Sequence, residues 1–363
     1  MRPEIRSQYR PLDALRLSDL EAIWLVLRGG SVIDWHRLSF LAPEEAHDFV
    51  RAHEIDLSDP ADRERVETVK QEAIGYLRRN FDFPIPKPVA ALDLEALLML
   101  ASGKGHRQVC ACTILKVMHI IHHLEGRELL FMLPVPDQEV FYLVEEKVYR
   151  VIGGMLAQGF PILEFIGGRK HKDSLYTKLL SKQETIAANI YDKLRFRIVT
   201  RSADDIFPTL DYILHHVFPF NYVIPGQSTN TMFHFRSYCE RHPHLARLFH
   251  DFQLPPDEEE DQLNRVDNRF SASTYSVLHF VVDMPVRLPP EMLAKGPPAA
   301  KPLGSIAFVQ TEFQIIDRHT EQQNELGEAS HAAYKERQKQ SVMKRLKVGT
   351  DTRRPPPPED KLD

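Results

Sequence analysis

The spacing of apolar residues along the chain changes near residue 135. Before that point apolar residues recur every three or four positions, as in residues 63–81 and 112–130, and this period predicts amphipathic helices. After it, helical segments alternate with short apolar runs that predict strands. The predicted strands are residues 161–168, 193–200, 274–288 and 306–316. Helices mixed with strands in this order predict an α+β protein, with a mixed sheet flanked by helices and preceded by a mostly helical N-terminal domain.

The same change predicts how the chain is divided. The segment "LPVPDQEV" at 133–140 contains two prolines and separates the helical part from the mixed part. The basic, proline-rich end of the chain predicts a disordered tail. The predicted divisions are residues 1–135, 136–340 and 341–363, with an insertion at 226–268 that holds one helix (231–252) and an acidic loop.

Composition limits the function only loosely. The 363 residues are 43% hydrophobic and 27% charged, and a net charge of −5 gives no general attraction to nucleic acid or to acidic membranes. Cys110, Cys112 and Cys239 do not form a disulfide framework, and we expect buried thiols in a reducing compartment. The first residues are too charged for a signal peptide and no window of about 18 apolar residues occurs, so we expect a cytoplasmic protein that does not span a membrane.

Three histidines lie on one predicted helix. His119, His122 and His123 have the residue type of a metal site, but histidine is common on half-buried helix faces. We therefore favour the interpretation that these histidines lie on a half-buried helix face over the interpretation that they bind a metal.

One acid interrupts the most apolar predicted strand. Glu312 stands in the middle of residues 306–316, and Asp192 opens another predicted strand, in which Arg195 and Arg197 alternate with apolar residues. If the two strands are neighbours, the two carboxylates can converge on one Mg²⁺ ion, which proteins hold by one or two carboxylates together with substrate phosphates. The sequence leaves open the alternative that Glu312 points to solvent from a half-exposed strand.

A basic turn follows the first predicted strand. Gly167 and Gly168 permit close approach of another backbone, and Arg169, Lys170 and Lys172 come next, at the start of a predicted helix. Cations at a helix N-terminus favour phosphate binding, although the spacing is not that of a Walker loop. The other interpretation is a solvated basic turn.

In this order, the segments resemble the synthetase domain of the RelA/SpoT family over about residues 140–340. The family's ATP motif has the form R-x-K-x-x-x-S-x-x-x-K. Here Lys170, Ser174 and Lys178 keep its spacing, and Arg169 is displaced by one position.

The next two family motifs match in part. The family strand D-x-x-G-x-R resembles the segment from Asp192 to Arg197, except that position 195 holds arginine instead of glycine. The family loop N-G-Y-Q-S-L-H-T is matched at Tyr275, Leu278 and His279. The preceding residues, "RFSAST", depart from the family's Asn-Gly pattern and leave the specificity for guanine open.

The last two motifs match more closely. The family strand E-V-Q-I-R-T is matched at Glu312, Gln314 and Ile315, but not at its Arg-Thr end. The final motif, A-E-x-G-x-A-A-H-W-x-Y-K, is followed at Glu325, Gly327, Ala329, His331, Tyr334 and Lys335. The order of five partial matches is more specific than any one of them.

The resemblance implies a fold and an activity. The fold would be a nucleotidyltransferase-like mixed sheet. The activity would be Mg²⁺-dependent transfer of the β,γ-pyrophosphate of ATP to the 3′-hydroxyl of GDP or GTP, which makes a (p)ppGpp-type alarmone. Such a transfer depends mainly on positioning and on neutralisation of charge.

The resemblance also implies roles for individual residues. Asp192 and Glu312 would bind Mg²⁺, and Glu312 would also accept the proton of the attacking hydroxyl. The residues implied in ATP binding are Arg169, Lys170, Lys172, Ser174, Lys178 and Arg197. The residues implied in acceptor binding are Tyr275, His279 and Gln314, with Tyr275 stacked on the base.

Two functional alternatives stay open, beside a third in which the resemblance extends to the fold alone. Some small members of the family are toxins that pyrophosphorylate the 3′ end of tRNA, and the basic tail and unusual acceptor loop of this chain are compatible with tRNA as acceptor. The other alternative is a catalytically degenerate nucleotide-binding protein that signals through its N-terminal helices. Retention of both acids argues against it, since two carboxylates repel a triphosphate unless a metal intervenes. The sequence does not decide the roles of residues 1–135 and of the insertion, or the oligomeric state, a homo-oligomer included.

Overall fold

The computed structural model describes residues 9–30, 38–181, 193–252, 272 and 274–347. The helices before the first strand are α1 (Leu17–Arg28), α2 (Pro43–Ala52), α3 (Pro60–Phe81), α4 (Lys87–Ala90), α5 (Leu94–Ala101), α6 (His106–Met132) and α7 (Asp137–Ala157). The later helices are α8 (Lys172–Ser181), α9 (Ile206–His216), α10 (Phe235–Arg241), α11 (Pro243–His250), α12 (Pro290–Leu293), α13 (Arg318–Asn324) and α14 (His331–Lys347). The strands are β1 (Ile162–Arg169), β2 (Leu194–Thr200), β3 (Thr229–Asn230), β4 (Leu278–Arg287) and β5 (Ile306–Asp317).

The helices begin and end where local chemistry favours it. Asp59 precedes α3 and its side chain accepts a hydrogen bond from the backbone nitrogen of Ala61 at 2.9 Å, while Pro60 occupies the first helical position. Helix α1 ends at Gly29, whose φ of 68° lies in the left-handed region that favours glycine.

The described strands form a five-stranded sheet in the order β1-β2-β5-β4-β3. Strands β2 and β5 run parallel, and the other neighbours run antiparallel. The predicted α+β class with a mixed sheet and its four predicted strands are therefore confirmed. Strand β3 was not predicted, because two residues are too few to show an alternating pattern.

The register of the sheet gathers polar side chains on one face. Arg195 lies opposite Glu312 and Arg197 opposite Gln314 across β2 and β5, and His279 lies opposite Gln314 across β4 and β5. Paired residues share a face, and residues two apart in one strand share it as well. We call this face, which carries Arg195, Arg197, His279, Glu312 and Gln314, the polar face.

The other face of the sheet forms the main apolar core. It presents Phe196, Phe280, Phe313 and Ile315, all of them fully buried, and helices α7 and α9 pack against it. Burial of this face fixes the register, because a slip by one residue would exchange the two faces.

Helix α6 covers one end of the face that also carries the polar residues. Gly126 lies directly against Phe308 and Ile306 of β5, and Leu129 belongs to the same apolar core as the sheet. Residues of α1 join that core too, whereas the buried residues of a second core come from residues 38–118, with Leu25, Ile121 and Phe220 packed against it. The division of the chain at residue 135 stays a prediction.

Two predicted segments differ from the structure. The single helix predicted in the insertion is two helices, α10 and α11, because Pro243 lacks an N–H and begins a new helix after His242. The predicted start of a disordered tail at 341 is wrong, since α14 continues to Lys347. There Arg345 donates to the backbone oxygen of Leu180 at 2.9 Å, so this basic segment packs on α8. Residues 348–363 lie outside the described residues.

The predicted burial of the cysteines and of the α6 histidines agrees with the structure. Cys110, Cys112 and Cys239 are buried free thiols. Of the three α6 histidines, His119 is buried and the other two are half-buried. Among the described residues, no helix combines the length and apolar character that crossing a bilayer requires.

We expect the stability of the protein to fall as the pH is lowered below about 6.5. Burial lowers the pKa of His53 to about 4 and that of His122 to about 3. The unfolded chain, with histidine pKa values near 6.5, therefore takes up protons first. The contribution of these two neutral histidines to the free energy of unfolding is complete above about pH 6.5. It is lost toward pH 4, by up to about 1.4 kcal/mol per pH unit for each histidine. Urea unfolding at several pH values measures this slope.

The variant His53→Gln serves as the control for that slope. It removes one buried titrating group and should flatten the dependence of the unfolding free energy on pH. An unchanged slope in this variant would contradict the assignment of the acid sensitivity to His53 and His122.

Candidate active site

Glu312 lies at the centre of the polar face, in the middle strand of the sheet. Only 5% of its surface is exposed, so the alternative that it points to solvent is wrong. Its Oε1 atom accepts a hydrogen bond from Nε2 of Gln314 at 2.6 Å and lies 3.6 Å from Nε2 of His279. A buried carboxylate held between neighbouring polar groups can accept a proton or bind a cation.

Two arginines stand beside this carboxylate because of the alternation in β2. Leu194, Phe196 and Ile198 are fully buried in the core, which directs Arg195 and Arg197 to the polar face. Nη2 of Arg197 lies 3.3 Å from Oε1 of Glu321 in α13. Arg195 is exposed and forms no ion pair with the described residues. The predicted alternation in this strand is confirmed.

Tyr275 is held at the end of the polar face by the loops on both sides of it. The hydroxyl of Thr231 accepts from the backbone nitrogen of Val277 at 2.9 Å. On the other side, Nδ2 of Asn324 donates to the backbone oxygen of Ser276 at 2.6 Å, and its Oδ1 accepts from the nitrogen of Ser276 at 3.0 Å. These bonds fix the short segment that carries the tyrosine.

The surroundings of Tyr275 are apolar on one side and charged on the other. Its ring packs with a small buried cluster of Val199, Val277 and Ile316. Burial raises the pKa of the Tyr275 hydroxyl, Arg197 and Arg195 lower it, and Glu312 raises it. The tyrosine therefore lies within electrostatic reach of the central carboxylate and of both arginines.

Two further acids belong to this site and were not predicted. Glu321 and Glu164 share a hydrogen bond near Arg197. Burial raises the pKa of Glu321, Arg197 lowers it, and the carboxylates of Glu164 and Glu325 raise it. Glu164 could have been found by the signal that revealed Glu312, an acid inside an apolar strand. Asn324 and Glu321 give no such signal, since they look like ordinary polar residues of a short helix.

The basic turn after β1 is divided between the two faces of the sheet. Gly168 lies opposite Arg195 on the polar face, where no atom stands within 4 Å of the position a Cβ would take. Arg169, one residue later, is directed to the other face and pairs with Glu145 of α7 through hydrogen bonds of 2.9 and 2.7 Å. The structure therefore does not bring Arg169 together with Glu312.

The other basic residues stay at the edge of the sheet where β2 begins. The backbone nitrogen of Lys170 donates to the oxygen of Lys193 at 2.8 Å, and Lys172 opens α8, which also carries Ser174 and Lys178. The turn follows β1, and β2 lies between β1 and β5, so the turn is two strand spacings, or roughly 10 Å, from β5. A chain of phosphates could span this gap along the polar face.

The structure describes one of the two acids of the predicted metal site. Asp192 lies outside the described residues, and Glu312 supplies a carboxylate in the described part. Carboxylate oxygens are the ligands that Mg²⁺ prefers, and this ion is often held by one or two of them with substrate oxygens. The donor chemistry of the described part of the site fits the ion.

Comparison with known proteins gives distant structural similarity. No protein-family model and no curated protein matches the chain. Among solved structures, small alarmone synthetase 1 from Bacillus subtilis bound to its product pppGpp is 14% identical, with a TM-score of 0.33, over 60% of this chain and 91% of that one.

Two other solved structures are similar at the same level. Small alarmone synthetase 2 from Bacillus subtilis is 15% identical (TM-score 0.29) over 59% of this chain and 98% of that chain. A GTP pyrophosphokinase family protein from Streptococcus pneumoniae is 14% identical (TM-score 0.29) over 60% and 87%. These identities and scores are too low to assign a family or an activity, which must rest on the chain's own residues.

Proposed function

We propose that this protein transfers the β,γ-pyrophosphate of ATP to the 3′-hydroxyl of a guanine nucleotide, GDP or GTP. The observation that carries the proposal is the position of Glu312, a buried carboxylate in the middle of a sheet with His279, Gln314 and two arginines on the same face. The partial RelA/SpoT motifs in the sequence support the same reaction.

Glu312 is the proposed general base. Its Oε1 atom accepts from Gln314, and the carboxylate would meet the acceptor hydroxyl or a metal ion on the polar face. A base must come within about 2.6–3.2 Å of the proton it removes, so the 3′-hydroxyl has to approach the centre of β5. His279 and Gln314 would then position the carboxylate and the acceptor.

The phosphates of ATP would lie between the basic turn and the arginines of β2. In this proposal Lys170, Lys172 and Lys178, with Ser174, would reach the phosphates from the turn and α8, and Arg195 and Arg197 would reach them from the polar face. Arg169, which pairs with Glu145, would fix the turn rather than touch ATP. Mg²⁺, held by Glu312 and Asp192, would neutralise charge on the phosphates.

The base of the acceptor would stack on Tyr275. The tyrosine is fixed by hydrogen bonds to its neighbouring residues and stands at the end of the polar face, beside an apolar cluster. Stacking of a base on an aromatic ring is worth about 1–3 kcal/mol and tolerates different bases, so selection of guanine requires further contacts.

The test is a transfer assay with ATP labelled at its γ-phosphate. GDP, GTP, ADP and deacylated tRNA are offered separately in the presence of Mg²⁺, and label in GDP or GTP is the expected result. Label in tRNA alone would replace the acceptor by an RNA. Absence of label from every acceptor, in a protein that still binds ATP, would contradict the proposed activity.

A further inference from the structure

Three side chains that can ligate a metal converge where α1 meets α9, a helix that packs on the apolar face of the sheet. Asp19 lies in the first turn of α1, and Asp211 and His215 are one turn apart on α9. One carboxylate oxygen of each aspartate and one ring nitrogen of the histidine all lie within 4.8 Å of one another. Both aspartates are buried, with 2% and 3% of their surface exposed, so water does little to stabilise their charge.

An outer partner holds each of these side chains in place. Oδ2 of Asp19 accepts from Nη1 of Arg10 at 2.9 Å, and Oδ2 of Asp211 accepts from Nη2 of the same arginine at 2.7 Å. Nδ1 of His215 lies 2.8 Å from the backbone oxygen of Asp211, and because a carbonyl oxygen only accepts, Nδ1 carries the proton. Metal-binding histidines and carboxylates have outer partners of this kind, which fix their orientation.

The second polar atom of each side chain makes no hydrogen bond with a described residue. Oδ1 of Asp211 is 3.3 Å from Nδ1 of His215, but that N–H donates to the backbone oxygen, which leaves Oδ1 buried without a partner. Nε2 of His215 carries the lone pair of the neutral ring and lies 3.9 Å from Oδ1 of Asp19, too far for a hydrogen bond. A buried carboxylate oxygen without a partner is costly, and a cation among these atoms would satisfy them.

The same residues line a cavity of about 270 Å³ whose wall has an excess of negative charge. Burial lowers the pKa of His216 in this wall to about 3, so this histidine adds no positive charge. Arg51 pairs with one wall acid, Asp48, from outside the wall, which makes the count five acids to three cations. Such an excess favours a divalent cation. The charged residues of the wall are Asp19, Glu21, Glu45, Asp48, Asp211, Arg10 and Arg16.

We propose that Asp19, Asp211 and His215 bind a divalent transition-metal ion, with Zn²⁺ as the expected ion. One imidazole with two carboxylates suits Zn²⁺, whereas Mg²⁺ is bound through oxygen ligands. The ion would stand about 2.0–2.2 Å from each ligand atom, in a gap that water does not enter, so the burial of Oδ1 of Asp211 is compatible with ligation. Three protein ligands leave a fourth position for water from the cavity.

Calorimetric titration of the chelator-treated chain with Zn²⁺ tests the site. The variant is His215→Gln, because this side chain is half-exposed and its replacement disturbs little packing. The matched control is His250→Gln, since His250 is an exposed histidine beside an acid, Asp251, at the end of α11. Binding should weaken by at least about tenfold in the first variant alone, because loss of a ligand costs no less than loss of an outer partner. Equal affinity in both variants would overturn the site.

Two further ions identify the ligand atoms. An excess of Mg²⁺ occupies oxygen-only sites and should leave this Zn²⁺ in place, so displacement by Mg²⁺ would refute the histidine ligand. Co²⁺ bound in place of Zn²⁺ absorbs visible light, and a bond to a thiolate would add an intense near-ultraviolet band. We expect the visible band without the thiolate band, and its loss in His215→Gln. A thiolate band would assign the ion to a cysteine instead.

Hydrogen exchange in the unmodified chain tests the site without a substitution. Zn²⁺ should slow exchange in α1 and α9, which the ion would join, and leave α14 unchanged. If α1 and α9 gain no protection at saturating Zn²⁺, the ion does not bind here, and this result stands even if a variant fails to fold.

Discussion

Replacement of Glu312 by glutamine is expected to lower the rate of pyrophosphate transfer by about 100- to 10,000-fold, the range typical for loss of a general base. Glutamine has nearly the same shape, and its amide oxygen can still accept the hydrogen bond from Gln314. The variant should therefore fold as the unmodified protein does. What it loses is the negative charge that accepts the hydroxyl proton and binds a cation.

The measurement separates catalysis from binding and from folding. Steady-state kinetics give kcat and KM, ATP binding is measured by calorimetry, and urea unfolding reports stability. Glu336→Gln is the matched control, because Glu336 lies exposed on α14 and accepts a bond from Gln340. The expected result is a fall in kcat in the first variant alone. Transfer at the unmodified rate in Glu312→Gln would remove this residue from the reaction.

The sequence was sufficient to single out Glu312, the residue at the centre of the candidate site. An acid in an apolar strand is unusual enough to be noticed, and the two-residue period of a strand places Glu312 and Gln314 on one face. The same period separated Arg195 and Arg197 from the apolar side of β2. The neighbours of β5 could not be predicted, since strand order and register depend on contacts between residues far apart in the chain.

The basic turn shows a limit of spacing arguments. Gly168 and Arg169 are adjacent in the sequence. They lie on opposite faces of the sheet because β1 extends through both residues and successive residues of a strand alternate between its faces. Sequence patterns locate the ends of strands poorly, and a shift of one residue decides which face a side chain reaches. The acids Glu164 and Glu321 illustrate a second limit, because they meet only through the packing of α13 against the sheet.

The close approach of α6 to β5 leads to a second prediction, on stability. Gly126→Ala is expected to lower the free energy of unfolding by about 1–3 kcal/mol, the usual cost of an added group in a packed interior. A Cβ at this position would stand 2.8 Å from the backbone oxygen of Ile306 and against the ring of Phe308. The backbone oxygen cannot turn away as a flexible side chain would, so the helix must move off the strand. This loss exceeds the gain of up to about 1 kcal/mol that alanine brings to a helix.

Gly153 of α7 is the matched control, because nothing lies within 4 Å of the position its Cβ would take. Gly153→Ala should be neutral or stabilise by up to about 1 kcal/mol. Urea unfolding, followed by circular dichroism for the helices and by transfer activity for the site, compares the two variants. If both signals are lost together at lower urea in Gly126→Ala, then α6 and the sheet unfold as one unit. In that case the helical part is a structural support of the polar face, and a boundary at residue 135 does not separate independent domains. Unchanged stability in this variant would instead show that α6 rests loosely on β5 and that the two parts can fold apart.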